Sequence, residues 1–364
     1  MWPDRRFIDL VGIDVAIIQA PMAGAVSAEM VIAVSEAGGL GSLPCAMLGP
    51  EQIRAEYGIV RQRTSRPVNL NFFCHAPPHE DPARETAWRR RLRAYYAELG
   101  LDAEQTAGSG RASFDEARCD VVAELAPAVV SFHFGLPEPR LLDRVKAAGA
   151  KVLSSATTVE EARQLEAAGC DAVIAQGYEA GGHRGMFLTD DLMTQTGTLA
   201  LVPQVADAVS VPVIAAGGIA DARGIAAALA LGAAAVQIGT AYLFCPEARV
   251  SPVHRAALAS PRAARTALTN VFTGRPARGI VNRIVREVGP LAEDAPEFPL
   301  AAGAIAPLRA KSEALGSEDF VPLWAGQAAP LGRAMPAGEL TRTLAAETVR
   351  HLRTLAGAAA GARA

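Results

Sequence analysis

Residues 212–242 read "PVIAAGGIADARGIAAALALGAAAVQIGTAY", and two kinds of periodicity meet in them. A short apolar run from Val213 breaks at Gly217–Gly218. An alanine-rich segment then opens at Asp221 and closes at Gly232, and a second apolar run ends in Gln237, Gly239 and Thr240. Aspartate before such a segment and glycine after it are helix start and stop signals. Continuous apolar runs on either side of a helix are strands of a parallel sheet covered on both faces. The stretch is therefore one strand–helix–strand unit.

The unit recurs upstream. Further strand candidates are "AIIQAPMAG" from Ala16, "GLGSLPCA" from Gly39, "PVNLNFFC" from Pro67, "AVVSFHFG" from Ala128, "KVLSSATT" from Lys151 and "AVIAQGY" from Ala172. Between them lie helix-favouring segments such as "SAEMVIAVSEAG", "EPRLLDRVKAAGA" and "VEEARQLEAAGC". Eight strand–helix positions up to Tyr242 are what a closed (β/α)8 TIM barrel requires. A doubly wound open sheet is assembled from similar units, but its polar residues gather at one switch point. Here they fall at the C-terminal ends of many strands, which favours the barrel, an α/β fold.

Two regions break the rhythm. Residues 75–115 form an insertion after the third strand, with a charged helix and a glycine/serine loop near 107–110. After Tyr242 the alternation stops for about 70 residues rich in Pro and Arg. The expected organisation is a barrel of residues 1–243 and 317–364, with a smaller, mostly helical cap of residues 244–316 inserted after strand eight. The final helices should dock back on the barrel, and the "GAAAGARA" tail should fray.

Half of the 364 residues are apolar and the formal net charge is −3, which gives no support for nucleic-acid or anionic-membrane binding. No apolar run reaches a bilayer span, and the first ten residues lack a signal-peptide layout. The five cysteines are odd in number and far apart, with no Cys-x-x-Cys, so neither disulfides nor a metal site is expected. A reducing, cytoplasmic setting follows.

In a barrel the loops after the strands form the reaction face, with phosphate groups commonly after strands seven and eight. Gly217 and Gly218 would let the backbone close on an anion beside the N-terminus of the helix starting near Asp221, and Gln237, Gly239 and Thr240 add partners. Plain tight turns are the alternative. "QAPMAG" places Pro21, Met22 and Ala23 where backbone groups suit the edge of a planar heterocycle. Asn71 and Gln176 are amides at apolar strand ends, able to bond such a ring or simply to satisfy backbone. His133, in "SFHFGLP", can remove a proton near neutral pH or pair with an anion, although a lone strand histidine is more often a core residue. In "QGYEAGGHRG", Gly181 and Gly182 suit close ligand contact, which makes His183 and Arg184 candidates for anion contact. Lys311 and the arginines 275, 278 and 283 are further anion candidates, with surface ion pairing the stronger alternative for the arginines. His75 and His79, four apart across two prolines, do not make a metal site.

In order along the chain, "QAPMAG", "PVNLNFFCH", "SFHFGLP", "QGYEAGGHRG", "AAGGIADARG", "QIGTAYLFCPEA" and "LWAGQAA" make the sequence resemble the FMN-dependent nitronate monooxygenases, formerly 2-nitropropane dioxygenases. The resemblance implies an FMN at the C-terminal mouth of the barrel. Pro21–Ala23 and Asn71 would approach the flavin ring, Gln176 and Gly181 would lie along the cofactor, and Gly218 with Gln237–Thr240 would hold its phosphate. It also implies His133 as the catalytic histidine. The implied reaction is oxidative denitrification: a nitronate gives one electron to the flavin, O2 reoxidises it, and a carbonyl compound and nitrite result. The expected partners are a small nitronate, such as propionate 3-nitronate or an alkyl nitronate, and O2, with homo-oligomerisation compatible. Two rivals carry part of the pattern: an FMN-dependent enoyl-acyl carrier protein reductase, and a flavin-binding barrel without catalysis.

Overall fold

The computed structural model describes residues 2–102 and 111–361. Its strands in chain order are β1 (Ile17–Gln19), β2 (Gly41–Pro44), β3 (Val68–Phe73), β4 (Val129–His133), β5 (Lys151–Ala156) and β6 (Ala172–Gln176). They continue with β7 (Gly182–His183), β8 (Val213–Ala216), β9 (Ala235–Ile238), β10 (Thr266–Thr269) and β11 (Ala277–Ile280). All eight strands read from the sequence are present.

Those eight form one parallel sheet in the order β1-β9-β8-β6-β5-β4-β3-β2. The sheet closes on itself: the Gln19 N–H donates to the Leu40 carbonyl at 3.0 Å, and the Leu40 N–H to the Ile17 carbonyl at 3.0 Å. Closure explains the continuous apolar character, because strands covered by helices outside and packed side chains inside have no wet face. Strands β2, β3, β6 and β8 are buried along their whole length.

The C-terminal helix Ala337–Gly361 packs against the Ala28–Glu36 and Ala222–Ala230 helices. Its Ala337, Leu340 and Leu344 belong to the barrel's own apolar cluster. The helix runs into the expected frayed tail as far as Gly361; the last three residues, and the glycine/serine loop at 107–110, lie outside the described residues.

A second apolar cluster joins Trp88, Leu92 and Tyr96 of the Pro82–Glu98 helix to Val271, Phe272, Ile284, Ile305, Leu308 and Phe320. The insertion after β3 thus packs on the segment that follows the barrel. That segment is not only helical. Antiparallel β10 and β11 form a three-stranded sheet with β7, which belongs to the glycine-rich loop after β6. Among the described residues no helix is long and apolar enough to cross a membrane.

Candidate active site

The C-terminal ends of the barrel strands open into a cavity of about 330 Å3, in the range of small-molecule sites. Pro21, Met22 and Ala23 after β1, Asn71 on β3, His133 on β4, Gln176 on β6, and Gly181, Gly182 and His183 in the loop beyond all line it. So do Gly217 and Gly218 after β8, and Gln237, Gly239 and Thr240 at the end of β9. The barrel topology brings these together from 220 residues of chain. Lys311 does not line the cavity: it is exposed, and Arg309 and Glu313 of the same helix line the mouth instead.

Backbone geometry shapes the cradle near β8. Gly217 and Gly218 have φ of +107° and +71°, which side-chain-bearing residues rarely adopt. A Cβ on Gly181 would fall 2.5 Å from the Gly326 nitrogen. The Thr240 hydroxyl accepts from the Gly326 N–H at 2.9 Å, tying the "LWAGQAA" segment to the β9 turn. Two of the first N–H groups of the helix after β8, which the sequence offered to an anion, are taken up by its own cap. Asp221 caps it, accepting from the Arg223 and Gly224 amides at 2.9 and 3.2 Å. An anion here would meet the glycine turns rather than that helix end. In the cavity wall, Gln237 Oε1 is buried without a hydrogen-bond partner among the described residues. Such an acceptor is costly unless something filling the cavity donates to it.

His133 is held on both ring nitrogens. Nδ1 lies 3.1 Å from Ser155 Oγ, and Nε2 3.3 Å from the His183 carbonyl. Burial first, and the nearby Arg275 charge second, push its pKa down to about 3, so the ring is neutral at pH 7. The next residue, Phe134, has φ of +70°, an unfavourable conformation for an aromatic residue and one typical of functional turns. Phe134 packs with Phe73, Phe298 and the His133 ring, and the Arg275 guanidinium stands 4.3 Å over its face.

The glycine-rich loop is clamped by its own polar residues. Gln176 donates to the His183 carbonyl at 3.0 Å and accepts from the Gly185 N–H at 2.7 Å. Arg184 is fully buried and donates to the Gly177 and Gln176 carbonyls at 2.6 and 2.7 Å. It braces the loop and does not line the cavity. Arg278, also buried, donates to the Tyr178 carbonyl at 3.1 and 2.9 Å. Arg283 lies in a surface ion-pair network with Glu98, Glu287 and Asp319. Of the three downstream arginines only Arg275 stands beside the histidines. The His183 side chain bonds the Thr273 hydroxyl at 2.9 Å, and burial holds its pKa well below the ordinary value.

Ser155 and His254 line the cavity without having been singled out in the sequence, and Trp324, which also lines it, entered only within "LWAGQAA". Ser155 was legible only as a serine three residues before the end of "KVLSSATT"; nothing local marks it as a histidine partner.

A family model described as nitronate monooxygenase matches residues 4–347. A nitronate monooxygenase from Pseudomonas aeruginosa is 47% identical over 345 residues, covering 94% of this chain and 98% of that protein. One from Paraburkholderia phytofirmans is 42% identical over 354 residues, covering 96% and 97%. Among solved structures, a nitroalkane oxidase from Streptomyces ansochromogenes superposes with a TM-score of 0.87 at 39% identity, covering 96% of this chain and 99% of its own. FabK from Thermotoga maritima gives 0.74 at 30% identity, covering 97% and 98%. A match spanning nearly the whole chain, to proteins of equal length and the same barrel, leads to one conclusion: the chain belongs to the nitronate monooxygenase family.

Proposed function

We propose that the protein is an FMN-dependent enzyme, working in the cytoplasm, that converts nitronates to carbonyl compounds and nitrite with O2. One observation carries the reading: a half-buried, neutral His133 shares a single cavity with the glycine turns after β8 and β9. The lining fits a flavin nucleotide. Gly217, Gly218, Gly239 and Thr240 supply backbone and hydroxyl groups for a phosphate, and the unpaired Gln237 Oε1 suits a ring N–H. Pro21–Ala23 and Asn71 would border the ring. The chemistry a bound flavin supplies is one-electron exchange between the nitronate and O2.

The chain's own residues set the substrate form. A base held near pKa 3 is a poor acceptor for a carbon-bound proton at neutral pH, since proton-transfer efficiency follows basicity. The same ring is a suitable neutral hydrogen-bonding group for an anion that is already formed. Arg275 adds positive potential beside it, and the aromatic wall excludes water. The site therefore favours preformed nitronates over neutral nitroalkanes.

The test is an oxygen-electrode assay of the purified yellow protein on propionate 3-nitronate and alkyl nitronates, with nitrite measured in parallel. Oxygen uptake with nitrite release is expected. A colourless protein after FMN loading and desalting would overturn the cofactor assignment. NAD(P)H oxidation driven by an enoyl thioester, without nitronate turnover, would establish the reductase alternative; a yellow protein inert in both assays would establish the non-catalytic binder.

A further inference from the structure

Ser155, on β5, is 5% exposed and lines the cavity beside His133. Its hydroxyl lies 3.1 Å from His133 Nδ1, while Nε2 faces the His183 carbonyl at 3.3 Å. A carbonyl can only accept, so Nε2 must carry a hydrogen. Two states satisfy both contacts: an imidazolium donating on both sides, or a neutral ring whose Nδ1 accepts the Ser155 O–H. Burial among Phe73, Phe134 and His183, with Arg275 near, selects the neutral ring.

The two bonds are not equivalent. The His183 carbonyl already has a shorter donor, the Gln176 amide at 3.0 Å, so it stays satisfied if His133 turns its N–H elsewhere. Gln176 is itself fixed by the Gly185 N–H at 2.7 Å. The Nε2–H is thus the exchangeable donor of the site: the carbonyl, which only accepts, puts the hydrogen on Nε2, and the Ser155 hydroxyl, able to donate or accept, follows by donating to Nδ1. We propose that Ser155 is a positioning residue that anchors the His133 ring by donating to Nδ1, so that the ring, protonated on Nε2, meets an anionic substrate as a hydrogen-bond donor rather than as a free base. The inference rests on the nitronate reading for its anion, but the tautomer is a property of the protein and is read without turnover.

The experiment uses flavin-loaded enzyme labelled with 15N-histidine. Correlations between ring protons and ring nitrogens report which nitrogen is protonated, and His133→Gln assigns the His133 signals among the six histidines. The expected result at pH 7 is a neutral His133 with its hydrogen on Nε2. In Ser155→Ala the hydrogen should stay on Nε2 while the Nδ1 resonance moves to that of an unbonded ring nitrogen, and kcat/KM for a preformed alkyl nitronate should fall about three- to tenfold, the scale of one lost neutral hydrogen bond. Ser155→Thr, which keeps the hydroxyl, should restore the hydrogen-bonded Nδ1 resonance. A parent enzyme with the hydrogen on Nδ1, or with a charged ring, overturns the proposal. So does a Ser155→Ala enzyme whose Nδ1 resonance is unchanged. If that variant fails to fold, the parent spectrum alone decides. A parent with the Nε2–H tautomer but no nitronate turnover refutes the functional reading and leaves the positioning intact.

Discussion

A Cβ on Gly185 would stand 2.8 Å from His133 Cε1 and 3.0 Å from Ser155 Cβ, so the glycine-rich loop can lie over the imidazole only where it lacks a side chain. Gly185→Ala must push the ring or the loop aside, and misplacing a reacting group by about 1 Å can cost about 100-fold in rate. The expected outcome is nitronate turnover reduced about 100-fold in a protein that still retains flavin absorbance; full activity would show that the loop yields instead. His133 itself is tested by His133→Asn. Losing a hydrogen bond to a charged group costs about 10- to 100-fold, so kcat/KM for nitronates should drop by that factor. Equal oxidation of neutral nitroalkanes by variant and parent in an oxygen electrode would remove any role for His133 as their base.

The elements that hold this geometry are the loop after β6 and the small sheet it joins. β11 pairs with β7 through Ala277 opposite His183 and Arg278 opposite Gly182, and Arg278 reaches across to the Tyr178 carbonyl. Arg278→Ala would strand the buried Tyr178 carbonyl, costing about 1–3 kcal/mol. Calorimetry should show a lower Tm, and flavin should leave the protein more readily, because the loop borders the cradle; an unchanged Tm would show that the ladder alone suffices. The contrast between the two sheets explains what could be read in advance. The eight barrel strands are buried on both faces, so they appear as uninterrupted apolar runs with chemistry at their ends. β10 and β11 are four residues each, and Arg278 sits inside one; a charge there reads as solvated, yet Arg278 is 2% exposed. Arg184 misled in the same way, since burial of a guanidinium depends on carbonyls supplied by the fold. Lys311 failed for a helical reason. Arg309 and Glu313 are four apart and share a face, whereas Lys311, two residues from each, points away from the cavity they line.

At the scale of the whole molecule, the fold keeps four histidines neutral, His75 and His254 buried and His133 and His183 half-buried, around one cavity and its surroundings. Burial, then Arg275 and Arg111, pushes His75 down to about 4; burial, then Arg275, takes His133 to about 3. Burial holds His183 well below its ordinary value, and burial, partly offset by the Trp324 carbonyl, brings His254 down to about 4. Each ring has a folded pKa below its unfolded value of about 6.5. As the pH falls below that value the unfolded chain binds protons that the native state refuses, so stability present above about pH 6.5 is lost progressively towards pH 4. Between pH 7 and pH 5 each such histidine costs about 2 kcal/mol. The paired carboxylates Glu98, Glu347 and Asp221 have pKa values held below their ordinary ones and lose their contribution only at lower pH. The Tm of the flavin-loaded enzyme should therefore drop by on the order of 10 °C from pH 7 to pH 5. His254→Gln, which keeps a donor for the Trp324 carbonyl without a titrating ring, should flatten that slope. A Tm that is level or rises over this interval would mean that the rings take up protons in the native state, and the neutral His133 on which the site chemistry depends would go with it.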